Sequence, residues 1–142
     1  MKIRDVMTKN VVKIAPEESV AVAARTLAAS NVGILPVCDH RGKVQGLVTD
    51  RDLVTRCVAA NCSPEKTPVA DVMTRQVTAA APDMEIYAAA GIMGRLQIRR
   101  LPVMENGVLC GMVSLGDLAR HQEAAEAASL ALADISENLS AR

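Results

Sequence analysis

The chain states one pattern twice. Asp5-Val6-Met7-Thr8 returns 66 residues later as Asp71-Val72-Met73-Thr74. At the same offset Pro16 returns as Pro82, Ala23-Ala24 as Ala89-Ala90 and Leu35-Pro36-Val37 as Leu101-Pro102-Val103. Residues 5–37 and 71–103 align without a gap, with 12 identities in 33 positions. One residue is lost in the following turn, and Gly46-Leu47-Val48-Thr49-Asp50-Arg51-Asp52 then meets Gly111-Met112-Val113-Ser114-Leu115-Gly116-Asp117. A repeat of this size dictates the architecture before any single residue is interpreted, and it predicts sites in two related, non-identical copies.

Each half, of roughly 60 residues, is marginal alone because so short a unit buries too little of its surface. Two halves sharing a core is the expected solution. Half of the 142 residues are apolar, but Phe and Trp are absent and there is one Tyr, so the core must be Val, Ile, Leu, Ala and Met. The seven methionines, Met84, Met93 and Met112 among them, read as filler in such a core. Missing aromatics argue against a base-stacking nucleic-acid platform. Sixteen basic residues balance sixteen acidic ones, so no electrostatic footprint for DNA or an anionic membrane is expected. No apolar run reaches the ~20 residues of a membrane span. Met1-Lys2-Ile3-Arg4-Asp5 lacks the apolar stretch of a signal peptide, and a cytoplasmic location is expected.

The pattern of each half predicts strand, helix, strand, strand, helix. Val11-Val12-Lys13-Ile14 and Val77-Thr78 are β-rich runs stopped by Pro16 and Pro82. Helical spacing follows at Val20, Ala23, Ala24, Leu27 and Asn31, and at Ile86, Ala89, Ala90, Met93 and Gln97, with acids at each N-terminal end. Two short strands then flank a turn, Asp39-His40-Arg41-Gly42 or Glu105-Asn106-Gly107. The organisation is repeat 1 over 1–60, a connector over 61–70, repeat 2 over 71–121 and a tail over 122–142. In the tail Ala128, Leu132, Ile135 and Leu139 follow helical spacing, predicting an amphipathic helix against its own domain or a second subunit.

The local motif with the most chemistry is Gly-h-h-[Thr/Ser]-x-x-Asp, h being apolar, at a strand-to-helix junction: Gly46, Thr49, Asp52 and Gly111, Ser114, Asp117. Thr or Ser followed three residues on by an acid is a capping box that starts a helix. The glycine then implies that something approaches the strand closely. The same junction offers unpaired N–H groups to an anion and a carboxylate to a ribose diol. The two roles are compatible. Cys38, Cys57, Cys62 and Cys110 form no Cys-x-x-Cys pair, and His40 and His121 lack zinc-finger spacing. Reduced, partly buried thiols are expected, with a redox or metal role for Cys57 and Cys62 as the sharper alternative. No Walker, dinucleotide-fold or His-Glu-x-x-His motif occurs, and no nucleophile–base set points to an enzyme.

A repeat headed by Asp-Val-Met-Thr, with a central Leu-Pro-Val and a closing Gly-h-h-[Thr/Ser]-x-x-Asp, resembles the CBS domain, named after cystathionine β-synthase. Two in tandem resemble a CBS pair over about residues 1–121, most of all the small stand-alone bacterial members, including the hypoxic-response type. The resemblance implies an α+β fold of two β-α-β-β-α repeats packed sheet to sheet about a pseudo-twofold axis, commonly dimeric. It implies clefts for adenosine-containing ligands (AMP, ADP, ATP or S-adenosylmethionine), with no cofactor required. Carried over, the second-half cleft comprises Val77, Thr78, Ile98, Arg99, Arg100, Pro102, Ser114 and Asp117. The first-half cleft comprises Val11, Val12, Val32, Gly33, Pro36, Thr49, Arg51 and Asp52. Arg99-Arg100 stands where the first half has Gly33-Ile34, so the second-half cleft is expected to be the better nucleotide site. The expected function is a regulatory, non-enzymatic sensor acting as a homodimer, whose signal passes to an unknown effector protein. The alternative is a stress-response interaction or redox protein whose clefts bind no nucleotide.

Overall fold

A proline in the middle of a strand decides how far each sheet can grow. The computed structural model describes residues 1–121 and 125–140. In it β1 (Ile34–Cys38) and β2 (Val44–Thr49) pair antiparallel, with Ile34 opposite Thr49 and Pro36 opposite Leu47. β3 (Arg100–Glu105) and β4 (Val108–Ser114) make a second two-stranded sheet. The mixed helix-and-strand class expected from the sequence is therefore present. The leading strand expected over 11–14 and 77–78 is not. It is reduced to one parallel bridge per repeat, Ile14 to Val37 and Ala80 to Val103. Ile14 N–H donates to the Pro36 carbonyl and Cys38 N–H donates to Ile14; Ala80, Pro102 and Met104 repeat both bonds. The next rung would need an N–H from Pro36 or Pro102. Neither has one, so the ladder stops.

The helices are α1 (Ile3–Val6), α2 (Val20–Ser30), α3 (Asp50–Leu53), α4 (Ile86–Leu96), α5 (Leu115–Ala119) and α6 (Ala125–Ser140). α3 runs on into a π-helical turn, Val54–Val58, and a 3-10 turn spans Val69–Asp71. α2 starts where the Ser19 hydroxyl accepts from Val22 N–H. It buries Val20, Ala23 and Leu27, and α4 buries Ile86, Ala89, Ala90 and Met93. Ala24, expected on the apolar face, is exposed. Asn31 and Gln97, expected to continue the stripes, instead end the helices in the left-handed region, at φ 53° and 58°.

The chain forms two compact units, and neither is a contiguous half. One contains residues 1–11 and 78–106 and the chain from Cys110 onward; the other contains 12–77 and 107–109. Each Asp-Val-Met-Thr head thus lies in the unit that holds the other repeat's closing motif. In the first unit Thr8 and Met112 exchange two backbone bonds, at 2.8 and 3.0 Å. In the second Thr74 and Leu47 do the same, at 2.8 and 2.9 Å. Ile3 N–H reaches Met84 and Arg4 N–H reaches Pro82; Val69 and Ala70 mirror them on Glu18 and Pro16. Lys2 adds an ion pair to Glu85 at 2.8 Å and holds that carboxyl below its usual range.

The close approach inferred from the motif glycines is this head. A Cβ on Gly111 would lie 2.6 Å from the Thr8 carbonyl oxygen and 2.9 Å from Met7 Sδ. On Gly46 it would lie 2.6 Å from the Thr74 carbonyl oxygen and 3.0 Å from Met73 Sδ. Only glycine fits at either position.

α6 packs against α4 and α5 of its own unit, burying Ala128, Ala131 and Ile135. A Cβ on Gly94 of α4 would come within 3.5 Å of the Ala131 Cα and 2.7 Å of Asp134 Oδ2, so the two helices approach nearly backbone to backbone. That seating turns α6 about its axis relative to the expected stripe. Leu132, expected in the apolar face, is 41% exposed. The Leu139 side chain and residues 122–124 and 141–142 of the expected tail lie outside the described residues.

Candidate functional site

Thr49 and Ser114 stand at the ends of β2 and β4 with nearly the same backbone, φ −115°, ψ 162° and φ −116°, ψ 161°. Each closes a full capping box. Ser114 Oγ accepts from Asp117 N–H at 3.0 Å while Asp117 Oδ2 accepts from Ser114 N–H at 2.8 Å. Thr49 and Asp52 repeat this at 3.0 and 3.1 Å. Both carboxylates are buried, 7% and 6% exposed, and both have further partners. Thr74 Oγ1 donates to Asp52 at 3.3 Å, and Arg56 Nε lies 3.8 Å from it. Arg120 pairs with Asp117. The acids of the motif thus bind their own helix starts and their own arginines.

Above the second junction, within the first unit, lies a cavity of about 610 Å³, within the size range of small-molecule sites. Arg99, Arg100, Ser114, Leu115 and Gly116 line it from the repeat, followed by Ala119 and Arg120 of α5. Ala125, Ala128, Ser129 and Leu132 of α6 form the remaining wall. Among the described residues its polar side chains are three arginines and two serines. Such a set matches phosphate oxygens, since a guanidinium fork carries several donors and a fixed charge. Small residues leave the depth, and Leu115 and Leu132 supply apolar surface.

Of the residues expected in this cleft, the structure brings together Arg99, Arg100 and Ser114. Asp117 lies behind Ser114 in the capping box. Pro102 is buried, its carbonyl taken by Ala80 N–H. Thr78 and Ile98 belong to the same unit without lining the cavity, and Val77 belongs to the other unit. Sequence reasoning missed Arg120 and the whole α6 wall. The spacing of Arg120, one helical turn past Asp117, was the available signal.

The first repeat has a shallower counterpart of about 450 Å³, lined by Leu27, Ala28, Asn31, Val32, Gly33 and Asp50. Val32 and Gly33 were expected there; Val11, Val12, Pro36, Thr49, Arg51 and Asp52 do not line it. The backbone frame is the same in both copies, for Asp50 N–H donates to Gly33 as Leu115 N–H donates to Arg99. The side chains differ in sign. Asp50 lays its carboxylate over Gly33, 3.4 Å from where a Cβ would stand. The second cavity has arginines and Leu115 in the corresponding places. A third cavity, about 560 Å³, is lined by Arg56, Arg75 and the 70–76 segment, but both arginines are bonded to backbone carbonyls of Ala70, Val72 and Met73.

All four cysteines are free thiols. Cys57 is buried and donates to the Cys62 carbonyl at 3.5 Å, while Cys62 itself is exposed. Burial pushes the Cys38 thiol up, against a smaller lowering by Lys13. A thiol held above its usual range carries less thiolate at neutral pH and reacts more slowly. Iodoacetamide at neutral pH is therefore expected to label Cys62 first and to leave Cys38 and Cys57 unmodified until denaturant is added. Peptide mass mapping over time checks this; early labelling of Cys57 would contradict the packing.

The profile of the CBS domain matches residues 3–59 and 69–124. The chain is 37% identical over 134 residues to the CBS domain-containing protein YhcV of Bacillus subtilis, covering 94% of each. It is similar to the crystal structure of Hypoxic Response Protein I with two coordinated zinc ions: TM-score 0.79, 28% identity, 85% of this chain and 98% of that one. The curated hypoxic response protein 1 of that name is from Mycobacterium tuberculosis. It is also similar to the CBS domain pair of protein MJ0100 in complex with 5′-methylthioadenosine and S-adenosylmethionine: TM-score 0.73, 27% identity, 84% of this chain and 94% of that one. Among the described residues here, no three His, Cys, Asp or Glu side chains are grouped to hold a metal. Among them, too, no helix is long and apolar enough to cross a membrane.

Proposed function

The chain belongs to the CBS domain family, and on that premise we propose that it is a regulatory module responding to a phosphate-bearing adenosine ligand, AMP, ADP or ATP, in the second-repeat cavity. One observation carries this: Arg99, Arg100 and Arg120 meet the Ser114 hydroxyl in a single cavity that also has apolar walls. Phosphate matches the guanidinium groups, and a purine matches the space beside Leu115 and Leu132. The sulfonium of S-adenosylmethionine would face the charges of Arg99 and Arg100 there, with Arg120 already paired to Asp117, so phosphate esters are the preferred class. In the first repeat Asp50 opposes the same phosphate, leaving the second as the main site. Among the described residues, the lining groups suit anions and include no carboxylate, histidine or thiol to move a proton, which favours recognition over turnover.

A binding module acts by linkage: the ligand shifts an equilibrium by the difference in its affinity for two states. The response then passes to an effector protein or a second copy of the chain. Thermal unfolding with AMP, ADP, ATP and S-adenosylmethionine tests the assignment. A phosphate ligand at about 100 times its Kd should add about 2.7 kcal/mol. Arg99→Ala/Arg100→Ala should bind at least about 30-fold more weakly, each lost charged hydrogen bond being worth about 1.5–3 kcal/mol. Absence of stabilisation by every phosphate ligand would reject the reading.

A further inference from the structure

We propose that α6 is a ligand-linked wall of the second-repeat cavity, so that docking of this helix and binding of a phosphate-bearing ligand stabilise each other. The proposal rests on the reading that such a ligand occupies the cavity. Among the described residues, four of the eleven lining the cavity belong to α6, which lies beyond the repeat itself. The two sources contribute different chemistry. The repeat brings the guanidinium groups, while α6 brings Leu132, a second hydroxyl at Ser129, and Ala125 and Ala128, whose small size preserves the depth.

Leu132 is the informative residue. It is 41% exposed although α6 has buried positions one turn to either side, at Ala128 and Ile135. Its place on the wall gives that exposed apolar surface a use, since a ring laid against it would be removed from water. Among the side chains described for α6, Ala128, Ala131 and Ile135 are buried, against α4 and α5. A ligand touching both α5 and α6 favours the docked arrangement and shifts the docking equilibrium toward it. Reciprocity follows from linkage: whatever undocks α6 must weaken the ligand by the same factor. Ligand loss would free a 16-residue helix and uncover the faces of α4 and α5 beneath it.

Gly94 and Ala131 give a handle on docking that leaves the cavity lining intact. Valine at Gly94 extends γ-carbons beyond a Cβ already 3.5 Å from the Ala131 Cα. Glutamate at Ala131, 2% exposed, places a charge in the seat. Hydrogen exchange is measured on the full chain with and without saturating ADP, and ADP affinity is titrated on wild type, Gly94→Val and Ala131→Glu. Saturating ADP is expected to slow α6 amide exchange at least about tenfold, within the usual range of coupling between sites. Both variants are expected to bind ADP at least about tenfold more weakly while β1 and β2 keep their protection. Two results would overturn the proposal and leave the nucleotide site standing: unchanged α6 exchange in a wild type that binds ADP, or wild-type ADP affinity in both variants. A wild type that binds none of AMP, ADP and ATP would overturn both.

Discussion

Gly111→Ala is expected to destabilise the protein by about 3 kcal/mol, the upper part of the usual range for overpacking a tight contact. For a chain of this size that lowers Tm by about 10 °C. The added methyl would stand 2.6 Å from the Thr8 carbonyl oxygen, an atom held by its own bond from Met112 N–H. Backbone on both sides must move, and two ladder bonds are at risk. Gly46→Ala is expected to match it, since its Cβ meets the Thr74 carbonyl oxygen at the same distance. Gly91→Ala is the contrast. That glycine lies within α4 with nothing within 4 Å of a Cβ, so alanine should add about 1 kcal/mol through helix propensity alone. Thermal or denaturant unfolding of the three variants reads the sign directly. Equal stabilities for Gly111→Ala and Gly91→Ala would show that the head does not seat as described.

Asp52→Ala carries the second large effect, a loss of about 3 kcal/mol with no ligand present. The substitution removes the acceptor of Thr49 N–H, the partner of the Thr74 hydroxyl and the counter-charge of Arg56 in one step. A lost cap costs about 1 kcal/mol, and each partly buried group left unpaired about 1–3 more. Asp52→Asn keeps one acceptor for Thr49 N–H and should recover part of the loss. Unfolding in ligand-free buffer decides; a wild-type midpoint for Asp52→Ala would mean the box is not structural. The consequence for ligand work is direct. Loss of a nucleotide response in Asp52→Ala or Asp117→Ala mixes a broken helix start with a broken contact, whereas the exposed Arg99 and Arg100 can be removed without that confusion.

What could be read from the residues was whatever each repeat does by itself. The two hairpins, the capping boxes at Thr49 and Ser114, and a close neighbour over each motif glycine all follow from local spacing and chemistry. The identity of that neighbour does not. Thr8 and Thr74 head identical motifs, so periodicity cannot say whether Met112 or Leu47 receives Thr8. Pairing at this range is settled by the packing of the whole chain. The missing leading strands were legible in principle, because Pro36 and Pro102 withhold the N–H that a second rung requires. The turn of α6 was not, for a helical stripe of alanine and leucine leaves its rotation open until Gly94 offers a seat. Arg120 escaped for a related reason: at its aligned position the first repeat has Thr55, and the arginine that pairs with Asp52 is one residue further on, at Arg56.

The exchanged heads also set an order on synthesis. Thr8 bonds to Met112, 104 positions further on, whereas Thr74 bonds back to Leu47. At about 5–20 residues per second, the head bearing Ile3 and Val6 leaves the ribosome roughly 5–20 s before its partner strand exists. Apart from residues 107–109, the unit around β1 and β2 can close as soon as the second head emerges. The other unit must wait with its first segment unpaired, although that segment is made before everything else. The last unit to become complete thus begins with the first residues made, and it is the unit that holds the arginine-lined cavity.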